Sequence, residues 1–356
     1  MSEALVVRSH LREYEVRFVD DFTVALAEHA ARGFFLVDAT VFELYRDRIA
    51  PLVPAERMIV IEATERHKTI EHCTTLLYQL VERRVRRGDL LVAIGGGVVQ
   101  DITAFMASVL YRGLEWVFYP TTLLAQADSC IGSKSSINMG EYKNLLGNFY
   151  PPAQIVSDAS FLRTLPQAEV RSGVGEMLHF FFYAGSEHPE RIRDEYELLV
   201  AEPGRLVPFI RASLEIKRAV AERDEFDRGE RRLFNYGHTF GHAIESVTDY
   251  GVNHGQAVTL GMDLANHVSR GLGFIGDQEF EAMHRLLEKN LPDFQLGEDQ
   301  LDAYLRALSK DKKNQGAMLG CILSHGYGKL QLHQLPMDET LTDLIAGYFG
   351  LRPVAV

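Results

Sequence analysis

At 356 residues, 46% of them hydrophobic, the chain can bury a substantial core and is expected to form two domains rather than one, which removes disorder as the default. A formal net charge of -12 opposes a nucleic acid or an anionic membrane as partner, so any phosphate must be met by local basic residues. Cys73, Cys130 and Cys321 lie far apart and form no CxxC pair, which points away from a disulfide framework or a structural zinc ribbon and toward a reducing cytoplasm.

The N-terminal MSEALVVRSHLREYEVRF alternates apolar and charged residues as a strand does, with neither the apolar stretch of a signal peptide nor a membrane span. FFLVDAT (residues 34 to 40) reads as a buried strand carrying Asp38 at its end, and MIVIEAT (58 to 64) as another. The spacing of Leu76, Leu77, Leu80 and Val81 predicts a helix between Thr69 and Arg87. DLLVAIGGG (89 to 97) is then a strand running into a glycine turn, VVQDITAFMASVLYRG a helix opening on those glycines, and WVFYPTTLLAQAD (116 to 128) a strand leading into a polar loop. Such alternation predicts βα units around a parallel sheet. Beyond Asp158 helical periodicity takes over, as in 201 to 224, 237 to 249 and 254 to 273. The expected fold is therefore α/β followed by a mainly helical part, residues 1 to 158 and 159 to 356, facing each other across a cleft.

Gly95, Gly96 and Gly97 stand where backbone must approach a pyrophosphate and a helix dipole favours an anion, although a plain tight turn fits the same residues. Asp38 could accept ribose hydroxyls, although an Asp at a strand end more often caps a helix. The segment from 128 to 152 reads as a loop pinned to the core, gathering Asp128, Lys134, Asn138, Lys143 and Asn144 as donors and acceptors for a phosphate or polyol. Glu176 lies in the apolar helical segment SGVGEMLHFFFYAG, where an ionised carboxylate needs a partner or an ion, and His179 follows on the same face. His238 and His242 are one helical turn apart, and His254 begins the next helical segment. One carboxylate and two imidazoles from separate segments fit a three-ligand zinc site with an open position. Lys217, Arg231, Lys310, Lys312 and Lys313 are basic groups in an acidic chain, and charged helix faces with i,i+4 pairing explain most residues of that kind.

GGGVVQD, YRGLEWVFYPTTLLAQADSCIGSK, KNLLGNFYPP, GEMLH, NYGHTFGHAIE, NHGQAV and DKKN follow in order, and over residues 30 to 330 the chain resembles the dehydroquinate synthase superfamily of sugar phosphate cyclases. The resemblance implies an N-terminal Rossmann-like NAD domain and a C-terminal helical metal-binding domain, in a homodimer. It implies Zn2+ or Co2+ held by Glu176, His238 and His254, and NAD lying against Asp38, Glu65, Lys68, Gly95, Gly96, Gly97, Asp101, Thr121, Thr122, Thr164 and Glu169. Substrate phosphate would meet Lys134, Asn144, Asn235, His242 and Lys312 or Lys313, with Arg112 reaching in from a second subunit. Asp128, Lys143, His179, Lys217, Arg231 and His238 would surround the hydroxyls, the reacting carbons and the C1 substituent. The implied chemistry is transient oxidation of a secondary alcohol by NAD, phosphate elimination, reduction and an intramolecular aldol closure.

Four positions depart from the family pattern. His179 stands for a usual lysine and removes a permanent cation, Gln100 and Ser133 replace glycines, and Gln256 replaces a glutamate. Arg231, Asn235 and His242 keep the dehydroquinate synthase pattern, and Arg231 suits a carboxylate through bidentate pairing. The resemblance thus favours 3-deoxy-arabino-heptulosonate 7-phosphate as substrate, with sedoheptulose 7-phosphate and a valiolone-type product as the alternative. A metal-dependent NAD alcohol dehydrogenase is the rival of another class; it would release NADH, and it has no need of the cationic donors of the 128 to 144 segment.

Overall fold

The computed structural model describes residues 4 to 140, 142 to 309 and 318 to 351. Lys310, Lys312 and Lys313 lie outside these residues. The first elements are β1 (Leu5–Arg8), β2 (Glu13–Val19), α1 (Phe22–His29), β3 (Gly33–Asp38), α2 (Ala39–Ile49), β4 (Met58–Ile61), α3 (Ile70–Glu82), β5 (Leu90–Gly95), α4 (Gly97–Val109), β6 (Glu115–Pro120), β7 (Lys134–Met139), β8 (Tyr142–Phe149) and β9 (Gln154–Asp158). There follow α5 (Gln167–Ala184), α6 (His188–Ala201), α7 (Val207–Arg223), α8 (His238–Val247), α9 (His254–Gly271), α10 (Asp277–Leu287), α11 (Glu298–Ser309), β10 (Met318–Ser324), β11 (Leu330–Pro336) and α12 (Glu339–Tyr348).

Two compact units divide the chain, Met1–Pro166 with Pro203–Phe226, and Gln167–Glu202 with Asp227–Val356. A single division near residue 158 does not describe this. The chain leaves the first unit, returns as α7 and leaves again, because α7 packs on the turn at Ala125–Ser129 and on β1.

The first unit is built on a seven-stranded sheet in the order β1-β2-β9-β6-β5-β3-β4. From β2 to β4 every pairing is parallel, and β1 closes one edge antiparallel to β2. Every residue of the interior strand β5 is buried, as are Gly33 to Val37 on β3, which is why both read as unbroken apolar runs rather than as alternations. One layer of the core gathers Phe22, Leu26, Phe35, Val37, Val92, Ile94 and Phe161.

Residues 128 to 152 do not form a loop throughout, contrary to the expectation from sequence, but contain the antiparallel β7–β8 hairpin, with a bulge between Ile137 and Met139. The second unit also carries a strand pair that the helical periodicity hid, β10 with β11, amid α5, α6 and α8 to α12. Among the described residues no helix is long and apolar enough to cross a membrane, and all three cysteines are buried and free.

Candidate metal centre and dinucleotide turn

Three glycines bring the second unit's titratable residues together. A Cβ on Gly175 of α5 would sit 1.9 Å from Gly255 O, and one on Gly255 of α9 would sit 1.7 Å from Ser172 O, so the two helices touch through bare backbone. Glu176 and His254, the neighbours of these glycines, are thereby drawn to one point. Gly237, at φ +81, lets α8 start against α9, where a Cβ would meet Val258 O at 2.5 Å, and His238 is the next residue.

Glu176 Oε1 stands 3.1 Å from His254 Nε2, and Glu176 Oε2 stands 3.8 Å from His238 Nε2. Donor atoms of the three residues all lie within 4.8 Å of one another. Glu176 is 2% exposed, yet its buried Oε1 accepts no hydrogen bond of good geometry despite the nearby imidazole. Such an oxygen is expensive unless an ion completes it. Each imidazole turns its other nitrogen away from the carboxylate: His238 Nδ1 lies 3.3 Å from Tyr236 O, and His254 Nδ1 lies 3.2 Å from Glu245 Oε1. With both Nδ1 atoms backed by acceptors, both Nε2 atoms are left as ligands, the arrangement that metal-binding histidines adopt. Two imidazoles and one carboxylate with that orientation fit Zn2+ or Co2+. Burial works against charge on His254, but Glu176 and Glu245 outweigh it and hold the imidazole well above its ordinary value.

His179 is also buried, with Nδ1 3.4 Å from Glu176 Oε2 and its ring edge-on to His238 at 5.3 Å. His242 is exposed, its ring 5.7 Å from that of His254 and 5.6 Å from that of His238. Arg231 is buried on the short turn Glu230–Asn235, and Asn235 Nδ2 donates to Arg232 O at 3.0 Å. Gln256 Nε2 reaches Asn290 O at 3.4 Å. Glu245 escaped the sequence reading, since a glutamate at the end of an amphipathic helix looks solvated.

In the first unit, Gly95 ends β5 and Gly96 precedes α4 in extended conformation, with no side chain capping the helix. A Cβ on Gly95 would sit 2.4 Å from Val99 Cγ2 and one on Gly96 3.0 Å from Thr122 Cγ2, whereas Gly97 faces open space apart from Ser129 Oγ at 4.0 Å. The helix N-terminus is thus bare and close to the strand end, as a pyrophosphate site requires. Asp38 serves as a cap: Oδ1 accepts from Thr40 N and Val41 N at 2.7 and 3.1 Å. Thr121 N donates to Gly95 O and Thr122 Oγ1 accepts from Ala125 N. Thr164 Oγ1 pairs with Tyr45 Oη at 3.0 Å, and Glu169 is exposed in the first turn of α5, in the other unit.

Glu65, Lys68 and Asp101 form one network. Lys68, 6% exposed, reaches Asn144 Oδ1 at 2.7 Å, Asp101 Oδ2 at 3.2 Å and Glu65 Oε1 at 3.3 Å. Asp101 in turn accepts from Ser136 N and Oγ, so the β7–β8 hairpin is pinned by charge. Burial pushes the Asp101 carboxyl up, opposed by Lys68 and Ser136. Lys217 on α7 donates to Asp128 Oδ1 at 2.8 Å and to its carbonyl at 2.7 Å. Gln100 and Ser129 exchange two bonds of 2.6 Å, while Ser133, at φ +60, anchors its hydroxyl on Glu225 at 2.5 Å. Lys134 and Lys143 are exposed on the hairpin, and Arg112 is exposed on a turn where both Tyr111 and Arg112 have positive φ.

The chain matches two sequence families, 3-dehydroquinate synthase N-terminal over residues 58–172 and 3-dehydroquinate synthase C-terminal over residues 173–314. It is 32% identical to 3-dehydroquinate synthase of Alkaliphilus metalliredigens over 349 residues, 96% of this chain and 98% of that one. With 3-dehydroquinate synthase of Methylococcus capsulatus the identity is 37% over 311 residues, 85% and 87% of the two chains. Among solved structures, 2-epi-5-epi-valiolone synthase from Streptomyces hygroscopicus subsp. jinggangensis, with NAD+ and Zn2+ bound, is 26% identical with a TM-score of 0.82 over 98% of each chain. A 2-deoxy-scyllo-inosose synthase complexed with carbaglucose-6-phosphate, NAD+ and Co2+ shares the fold at TM-score 0.85, 24% identity, 96% of this chain and 99% of that one.

Proposed function

The chain belongs to the 3-dehydroquinate synthase family, and we propose that it is a sugar phosphate cyclase, a lyase that converts a seven-carbon ketose phosphate to a carbocycle with loss of phosphate. The observation that carries this reading is the meeting of Glu176, His238 and His254, with both Nε2 atoms turned to the carboxylate. In it these three residues hold Zn2+ or Co2+, and Asp38, Glu65, Lys68, Asp101, Thr121, Thr122, Thr164, Glu169 and the turn Gly95 to Gly97 serve NAD. When bound, the cation supplies Lewis acidity and NAD a reversible hydride acceptor.

The chain's own residues then orient and hold charge. Lys134 and Asn144 direct the substrate phosphate so that it can take the proton released beside a ketone as it departs. Asp128 fixes the Lys217 ammonium, which with Lys143 addresses substrate hydroxyls. Asn235 and His242 donate to the phosphate in the second unit, together with Lys312 or Lys313. Arg231 offers its guanidinium fork to a substrate carboxylate. That fork, and relatives named 3-dehydroquinate synthase at 32% and 37% identity, favour 3-deoxy-arabino-heptulosonate 7-phosphate. One observation favours sedoheptulose 7-phosphate instead: buried His179, beside Glu176, supplies no permanent cation. A cytoplasmic homodimer, in which Arg112 of one subunit serves the other, completes the reading.

The test is to supply each sugar phosphate separately to the protein loaded with NAD and Zn2+ or Co2+, then to follow phosphate release and identify the carbocycle. Turnover of the carboxylated sugar, lost in Arg231→Met, is expected. Turnover of sedoheptulose 7-phosphate alone would reverse the substrate assignment.

A further inference from the structure

We propose that Glu245 is a positioning residue for the metal ligand His254, fixing which ring nitrogen faces the ion and how strongly it binds. The inference rests on the metal-centre reading above and deepens it. Glu245 lies on the last turns of α8 and His254 is the first residue of α9, two helices in backbone contact at Gly241 and Ala257, where a Cβ would meet the carbonyl at 2.8 Å. The short connection between them returns the chain so that Glu245 Oε1 comes to 3.2 Å from His254 Nδ1.

A neutral imidazole carries one proton, on one nitrogen. Once Nε2 gives its lone pair to a cation, Nδ1 must hold that proton and needs an acceptor. For His238 the acceptor is the Tyr236 carbonyl, a neutral dipole; for His254 it is an ionisable carboxylate whose side chain is 12% exposed. The two ligands are therefore unequal. The charged partner makes the His254 ring the more basic donor, and it also restrains a side chain that is 35% exposed and otherwise able to turn its ring about. The same carboxylate has a competing use, since donor atoms of His242, Glu245 and His254 also lie within 4.8 Å of one another and could together hold a second cation.

The experiment uses the full chain stripped of metal, titrated with Zn2+ against a chromophoric chelator and with Co2+ by its visible absorption, in the wild type, Glu245→Ala, Glu245→Gln, His242→Ala and His254→Ala. Wild type is expected to bind one ion. Glu245→Ala should weaken it by roughly 10- to 100-fold with altered Co2+ bands and unchanged stoichiometry. Glu245→Gln, which keeps an acceptor oxygen but no charge, should fall between; should the alanine variant fail to fold, the glutamine variant alone decides, and wild-type affinity there overturns the proposal. Wild-type affinity in Glu245→Ala with loss in His254→Ala would overturn the proposal while leaving the metal centre in place. Retention of the ion in His254→Ala would instead remove the metal centre itself. A second ion in the wild type, lost in both Glu245→Ala and His242→Ala while the first keeps its affinity, would make Glu245 a ligand and overturn its positioning role.

Discussion

Glu176 is a buried carboxylate whose polar neighbours are imidazoles, His254 Nε2 at 3.1 Å from its Oε1 and His179 Nδ1 at 3.4 Å from its Oε2. Within the apolar length of α5 a carboxylate held by imidazoles with no well-aligned hydrogen bond at Oε1 is costly to bury, a cost that a bound cation offsets. Glu176→Gln should therefore unfold, without metal, at a temperature equal to or above that of the metal-free wild type, while the rise that Zn2+ gives the wild type should vanish. Calorimetry with and without Zn2+ reads both; a wild-type-sized Zn2+ shift in the variant would take Glu176 out of the site. A different carboxylate, Asp263 on α9, is fully buried and satisfied: His284 Nδ1 lies 2.9 Å from its Oδ2 and Tyr348 Oη donates to the same oxygen at 2.6 Å. The Asp263 hydrogen bond raises the His284 imidazole above its ordinary value, against the opposing effect of burial. A raised folded-state value means that the pair's stabilisation is complete below about pH 6.5, the unfolded value, and fades as pH climbs through the raised one. Denaturant unfolding should show His284→Gln losing more stability relative to wild type at pH 6 than at pH 9, and an equal loss at both would contradict the ion pair.

Helix crossings, rather than helix propensity, decide where the ligands stand. Gly255→Ala would push a methyl against Ser172 O, forcing α9 away from α5 at a cost of about 3 kcal/mol or more and separating His254 from Glu176. Urea unfolding should show that loss together with weakened Zn2+ retention; a stable variant that binds Zn2+ normally would show the crossing to be dispensable. The sequence makes β3, β5 and the long helices legible because their burial is one-sided or total over many residues. It hid the β7–β8 hairpin because KSSINM and YKNLLGNF carry little apolar alternation and are held by Lys68 and Asp101. β10, MLGCILS, is a short run of apolar residues and glycine ending in Ser324, which cannot be told from a buried helix by periodicity. Glu176 stands out in sequence as a charge in an apolar helix near three histidines, His238, His242 and His254, while the choice of His238 and His254 among them comes from the family resemblance, and the donor atoms of that set lie within 4.8 Å of one another. Glu245 does not stand out, because its role arises from a return of the chain that no local pattern records.

Across the whole molecule, the α/β and the mainly helical character expected from sequence are both present, but the two compact units are not consecutive halves of the chain, since Pro203–Phe226, with α7, belongs to the first. That return places Lys217 against Asp128, two residues 89 positions apart in sequence, and neither amphipathic spacing nor composition announces it. In this acidic chain Lys68 and Lys217 are each paired locally with a carboxylate, Asp101 and Asp128. What separates a cyclase from a dehydrogenase on such a scaffold is the fate of the hydride. Inorganic phosphate and absorbance at about 340 nm, where reduced nicotinamide absorbs, should be followed in a single reaction of the metal-loaded protein with substoichiometric NAD and the seven-carbon sugar phosphates. Phosphate should accumulate through many turnovers with no net rise in NADH. NADH appearing in step with substrate consumed, and no phosphate, would show a dehydrogenase and contradict the assignment.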